Sequence, residues 1–348
     1  MGQRIAYGTA AILAVVSLFL ADVQLGKEAT VSVDPVLLGD ITWRATAFGH
    51  LLRRGSMIPL MVFVACVAAA VELVRFLREK GARPFHRFAY AMVVVTLAVP
   101  WLSAAGWLGH GVAEVEGLLW SLASIVLLVI GTGVLMVLRR DTEDALRDVA
   151  ATWLIVLYVG FLPSFALHLR CSANVPDVQG AWLLLITVLV CKSSDIGAYF
   201  AGSAIGRHKL IPEVSPGKSV EGMFGGLIGS VAVAVGFVLA YRWSIGRIEV
   251  GGGPQGVVRL VRDMTEAFAM KSSIGGPTPL VRAALFGLAM SVSGQFGDLI
   301  ESCFKRDAQI KDSAKIIPRF GGILDLIDSP VFSVPVAWLL LTIVWKVV

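Results

Sequence analysis

Asp298, Ser302 and Lys305 stand at i, i+4 and i+7, so on a helix a carboxylate, a hydroxyl and an ammonium share one face. Lys311, Lys315 and Arg319 follow at four-residue steps, a stripe of like charge that destabilises a helix unless an anion lies against it. The segment closes on "RFGGILDLIDSP", with a Gly321-Gly322 turn, Asp325 and Asp328, and Ser329-Pro330 at the mouth of the last apolar run. Proline after an Asp or Ser cap is a helix-start signature, so a capping role is open to Asp328 that is not open to Asp325. Asp298 and Asp325 are hard oxygen ligands suited to Mg²⁺, and the surrounding lysines and arginines suit phosphates. Joining two phosphate-bearing substrates requires this combination. A phosphomonoester carries about −1.5 to −2 charge near neutrality and repels the phosphoryl group it attacks, so metal ions and cationic side chains must neutralise both partners and hold the reacting atoms in line. No serine, cysteine or histidine nucleophile is needed, and none is apparent.

A second polar stretch runs from Lys192 to Ser230. Lys192 and Asp195 share a helical face, a basic turn follows at Arg207 to Lys209, and then comes Ser215-Pro216-Gly217-Lys218-Ser219. A nucleotide phosphate loop would need glycine five positions before Gly217, where this chain has Pro212. Two readings of the turn stand side by side. It presents Lys218 and free backbone amides to an anion just ahead of an electropositive helix N-terminus, or it is a helix-entry turn with Glu221 near the N-terminus and Lys218 marking the cytoplasmic side.

These charges are set in a chain that is 56% hydrophobic and 16% charged, with a mean hydropathy of +0.78. Soluble domains average about a quarter charged, so the chain reads as an integral membrane protein. The expected fold is all-α, a polytopic membrane helical bundle of about nine transmembrane helices. The apolar runs lie at roughly 5–25, 56–76, 88–108, 117–138, 149–169, 179–202, 222–242, 280–302 and 330–347. The first has the flavour of a signal peptide but no small-residue cleavage site, and it reads as an anchor. Arg75, Arg78, Lys80, Arg83 and Arg87 after the second run, against no lysine or arginine after the third, orient the N-terminus to the cytoplasm. Arg44, Arg53 and Arg54 and the 243–279 connection fit that orientation less well; within the latter, "VVRLVRDMTEAFAM" has the spacing of an interfacial helix.

The chain reads as one membrane domain. Spans to about residue 175 are nearly free of polar groups and form a scaffold, and residues 176–348 hold the catalytic or transport core. Cys66, Cys171, Cys191 and Cys303 have neither disulfide nor zinc spacing. The net charge of +5 is concentrated in a few loops, as membrane orientation and anionic headgroups require, and there is no nucleic-acid signature.

With these residues in place, a resemblance emerges. Ser302-x-x-Lys305-Arg306, Lys311-Asp312 and Pro318-x-x-Gly321-Gly322-x-x-Asp325-x-x-Asp328 resemble the signature of the phosphatidate cytidylyltransferase family. "SDIGAYFAG", "GRHKL" and "SPGKSVEG" are similar to that family's upstream motifs, in the same order. The resemblance covers residues 190–330. It implies an integral enzyme of the bacterial inner membrane, its active site facing the cytoplasm, that converts CTP and phosphatidic acid to CDP-diacylglycerol and pyrophosphate. It further implies Mg²⁺, with a second metal or a monovalent cation as an added option, membrane lipids as surroundings, and compatibility with a homodimer. By the same resemblance, Asp298 and Asp325 would hold metal, and Lys305, Arg306 and Lys311 would neutralise the lipid phosphate or the triphosphate. Asp195, Ser215 and Lys218 would line the nucleotide side, Ser302, Arg319, Gly321 and Gly322 would contact substrate, and Asp312 and Asp328 would support the metal. Two positions depart from the pattern, Phe320 where histidine is usual and Leu326 where arginine is usual. A CTP-dependent polyprenol or phytol kinase is the rival reading, and an ion-coupled transporter using Lys192, Asp195, Asp298 and Glu301 is a more distant one.

Overall fold

The computed structural model describes residues 57–104, 113–140, 142–171, 177–250, 278–309 and 322–345, with a few single positions beside them. Eight helices among the described residues are long and apolar enough to cross a membrane. They are α1 (Met57–Glu79), α2 (His86–Ala104), α3 (Ala113–Arg139), α4 (Ala145–Arg170), α5 (Asp177–Ile205), α6 (Val220–Val250), α7 (Pro279–Asp307) and α8 (Ile323–Val344). Each coincides with an apolar run in the sequence. The run at 5–25 lies outside the described residues apart from Ser17, Phe19, Ala21 and Asp22, and the interfacial-helix segment lies outside them apart from Arg262. The outward side chains fit a lipid surround: on α3, Leu119, Leu122, Val126, Ile130, Val134 and Val137 are all exposed.

The chain forms two compact units. Unit 1 comprises residues up to Ala181 together with Asp312–Leu326, and unit 2 comprises Trp182–Lys311 together with Ile327–Val348. In unit 1, α2 packs with α1, α3 and α4. Helix α4 passes through a π-helical turn at Val156–Phe161 just ahead of Pro163. A proline inside a helix has no amide to donate, and a local widening of the ladder accommodates that loss in an apolar helix.

Buried carboxylates hold helix starts in unit 1. Asp22 accepts hydrogen bonds from the Met57 and Ile58 amides at 2.9 and 3.3 Å, and the Arg170 guanidinium pairs with it at 2.8 Å. Glu72 does the same for α8: its two oxygens accept from the Ile323 and Leu324 amides, both at 2.9 Å, and its side chain is fully buried. Asp325 closes the set by accepting from the Gly322 amide at 2.8 Å, the reach-back half of a capping box. Glu72→Ala strands two amides away from water, so unit 1 is expected to lose about 2–3 kcal/mol. Glu72→Gln keeps one acceptor and is expected to lose about half of that, and chemical unfolding of the purified protein in detergent ranks the two.

This capping corrects one expectation. Helix α8 does not begin after Asp328; it begins at Ile323, and Pro330 and Pro335 lie inside it. The proline signature misleads because an apolar membrane helix tolerates internal proline, and because carboxylates on Glu72 and Asp325 already satisfy the first amides.

Unit 2 adds a small β element to the all-α plan. Between α5 and α6 the chain forms an antiparallel hairpin, β1 (Lys209–Ile211) with β2 (Ser215–Ser219). Glu221 at the start of α6 ties it down, accepting from the Arg207 and His208 amides at 3.1 and 3.2 Å and lying 2.6 Å from the His208 Nδ1. The helices meet through small residues. Gly197 of α5 lies so close to the Gly225 carbonyl of α6 that a Cβ would collide with it, and buried hydroxyls link the other faces. Ser194 of α5 is 2.7 Å from Ser291 of α7, Cys191 is 3.1 Å from Ser333 of α8, and the Gln295 amide donates to Ser291 and to the Met223 carbonyl.

Candidate active site

Among the described residues, the side chains that converge at the charged end of unit 2 come from α5, β2, α7 and α8. Asp298 and Glu301 sit on α7 one turn apart, and Asp328 comes from α8. The three can each offer an oxygen within 4.8 Å of the others. The helices can approach this closely because Gly297, beside Asp298, packs directly against the Asp328 main-chain carbonyl.

Three lysines balance the acids. Lys218 of β2 reaches Asp298 at 2.7 Å, and Lys305 pairs with Glu301 at 2.5 Å. Lys192 lies 3.1 Å from Asp195 and 3.9 Å from Asp328. Among the described residues, four carboxylates face three ammonium groups. Glu301 is fully buried, and Asp328 is 7% exposed. Part of the Asp328 charge is met locally, since one oxygen accepts from the Ser329 amide at 2.5 Å and from the Ser329 hydroxyl at 3.2 Å. Such crowding of anionic oxygens is costly in a low-dielectric setting unless cations share them. The donor set, all carboxylate oxygen, suits a hard divalent cation such as Mg²⁺.

The residues singled out in the sequence divide as follows. Asp298, Lys305 and Asp328 join the cluster, with Lys218 bonded to it and Asp195 reached through Lys192. Ser215 and Ser302 are half-buried on β2 and α7. Arg306 is exposed, and its Nε donates to the Val214 carbonyl at 3.2 Å, tying the end of α7 to the hairpin turn. Asp325 and Gly322 bond to each other at the start of α8. Lys311, Asp312, Arg319 and Gly321 lie outside the described residues, as do Lys315 and Phe320.

Sequence reasoning left Glu301 and Lys192 out of the catalytic set, although the structure centres them. The available signal was a charge inside an apolar helix: Glu301 is three residues from Asp298 and four from Lys305, and Lys192 follows a run of buried residues in α5. Glu72 was also missed. It is an acid inside the apolar stretch of α1, ahead of the charged turn that ends at Glu79, and gave the same signal.

Comparison with known proteins agrees with this chemistry. Two proteins named phosphatidate cytidylyltransferase are each 30% identical to this chain over 302 residues. The one from Chlamydia pneumoniae aligns over 84% of this chain and 87% of its own length, and the one from Bacillus subtilis over 81% and 97%. A third of that name, from Mycobacterium bovis, is 28% identical over 81% of this chain and 79% of its own length. A model of the cytidylyltransferase family matches residues 40–344, and with charged motifs, membrane helices and relatives in agreement, the chain belongs to that family.

Proposed function

We propose that this protein condenses CTP with phosphatidic acid to give CDP-diacylglycerol and pyrophosphate, with the charged end of unit 2 as its reaction centre. The observation that carries the reading is the convergence of Asp298, Glu301 and Asp328 with Lys192, Lys218 and Lys305 at the end of apolar helices. A phosphate oxygen of phosphatidate attacks the α-phosphorus of CTP, a new P–O bond forms, the bond to the β-phosphate breaks, and pyrophosphate leaves. Lys218 and Lys305 stand ready to turn from carboxylate to phosphate oxygens and so offset the repulsion between the two anions. Arg306 extends that positive edge towards the hairpin. Asp298, Glu301 and Asp328 would hold Mg²⁺, which supplies charge neutralisation at the phosphoryl oxygens. Asp325 and a second metal or monovalent cation belong to the same proposal through the family resemblance.

Facing this end to the cytoplasm of a bacterial inner membrane suits both reactants, since a lipid headgroup stays at its own level while CTP arrives from water. The rival reaction, phosphoryl transfer to a lipid alcohol, breaks a different bond. With CTP labelled at the α-phosphorus, label is expected in the lipid product and pyrophosphate in solution. Label retained in soluble CDP, with no nucleotide on the lipid, would refute cytidylyl transfer.

A further inference from the structure

We propose that unit 1 carries a separate site for the phosphate headgroup of an anionic membrane lipid, in a basic pocket where α1 hands over to α2. The pocket has a volume of about 710 Å³ and is lined by Arg78, Arg83, Arg87 and Arg139 with Phe85 and Phe88. Among the described residues, no acidic side chain lines it. The site does not rest on the reaction proposed above.

Two of its arginines are committed and two are not. Arg139 pairs with Asp148 at 2.6 Å and lies 5.8 Å from the centre of the Phe85 ring, and Arg78 lies 2.8 Å from the His86 Nδ1. Arg83 and Arg87 are exposed, and among the described residues no carboxylate pairs with either. The backbone beneath them is held in place. The Arg83 amide donates to Asp148 at 2.6 Å, its carbonyl accepts from Arg139 at 3.4 Å, and the Phe85 amide donates to Thr152 at 3.0 Å. A pinned loop that gathers guanidinium groups round one cavity is electrostatically unfavourable until an anion enters, and the guanidinium fork matches phosphate oxygens.

Location selects a lipid over a soluble phosphate. The pocket lies at the end of α1, the start of α2 and the end of α3, all three of them candidate spans, so it sits at the level of lipid headgroups. Phe85 and Phe88 supply an aromatic wall there, and the last turns of α3 expose Val137 and Leu138 beside Arg139, a surface along which acyl chains can lie.

The test uses the full chain in a gentle detergent and native mass spectrometry with phosphatidylglycerol, which is neither substrate nor product of the proposed reaction. Phosphatidylcholine serves as the zwitterionic control. Arg83→Gln with Arg87→Gln is expected to weaken phosphatidylglycerol binding about thirtyfold, on the order of tenfold or less per arginine, with phosphatidylcholine retention unchanged. Arg87→Gln alone is expected to fall between. A loss under about threefold in the double variant overturns the site, as does a parallel loss of phosphatidylcholine. Inorganic phosphate that displaces phosphatidylglycerol from the wild-type protein would reassign the pocket to soluble anions and overturn the lipid as its ligand.

Discussion

Asp298→Asn is expected to lower CDP-diacylglycerol formation by at least about 10³-fold while leaving a folded protein. The substitution keeps the shape of the side chain and removes one charge from a cluster whose carboxylates lie within 4.8 Å of one another. Its loss disrupts two functions at once. The cation site gives up an anionic ligand, and Lys218, 2.7 Å away, loses the charge that holds it in position for phosphate. The fold survives because Asp298 is partly exposed, at 32%, and contributes little to the helix packing beneath it. Turnover measured across a Mg²⁺ titration, with thermal unfolding alongside, checks this. Wild-type rates in the variant would end the metal assignment. Asp325→Asn and Asp328→Asn, run in parallel, rank the two carboxylates of α8: the ligand shifts the Mg²⁺ requirement, whereas a residue that only caps lowers stability by about 1 kcal/mol.

Gly297→Ala is expected to cost about 100-fold in activity without loss of helix. A methyl group there would collide with the Asp328 carbonyl and lie 3.2 Å from the Phe332 ring. The main chain of a helix cannot yield as a flexible side chain can, so α7 and α8 must move apart. Displacement of about 1 Å in a reacting constellation is enough for a 10²-fold loss, and here the displaced neighbours are Asp298 and Asp328 themselves. Helix propensity acts in the other direction, since alanine is favoured over glycine by about 1 kcal/mol. Gly236→Ala isolates that contribution, because nothing lies within 4 Å of a Cβ at that position, and it is expected to be neutral or slightly stabilising. Equal activity in the two variants would show that close approach at Gly297 does not set the site.

The membrane helices were legible because hydropathy is a local property, and a run of about twenty apolar residues has few other fates in a lipid-facing chain. The bond of Lys192 to Asp195 was legible in the same way, since helical spacing alone puts those partners together, whereas Lys305, read on a face with Asp298 and Ser302, bonds Glu301. The hairpin was less so. Its strands are three and five residues long, and it is held by Glu221 reaching back across the turn.

Local pattern could not reveal how the carboxylates of α8 divide their work. Proline and serine after Asp328 imitate a helix start, but the true start is chosen by Glu72, which lies 251 positions before the amide it caps. Composition, spans and the inventory of phosphate-adapted side chains were set by the order of residues alone, because each depends only on near neighbours along the chain. Which acids stand together was decided by packing: glycine at 297 lets two helices touch, and that contact, with Ser333 bonded to the Met290 carbonyl, brings Asp328 beside Asp298 and Glu301.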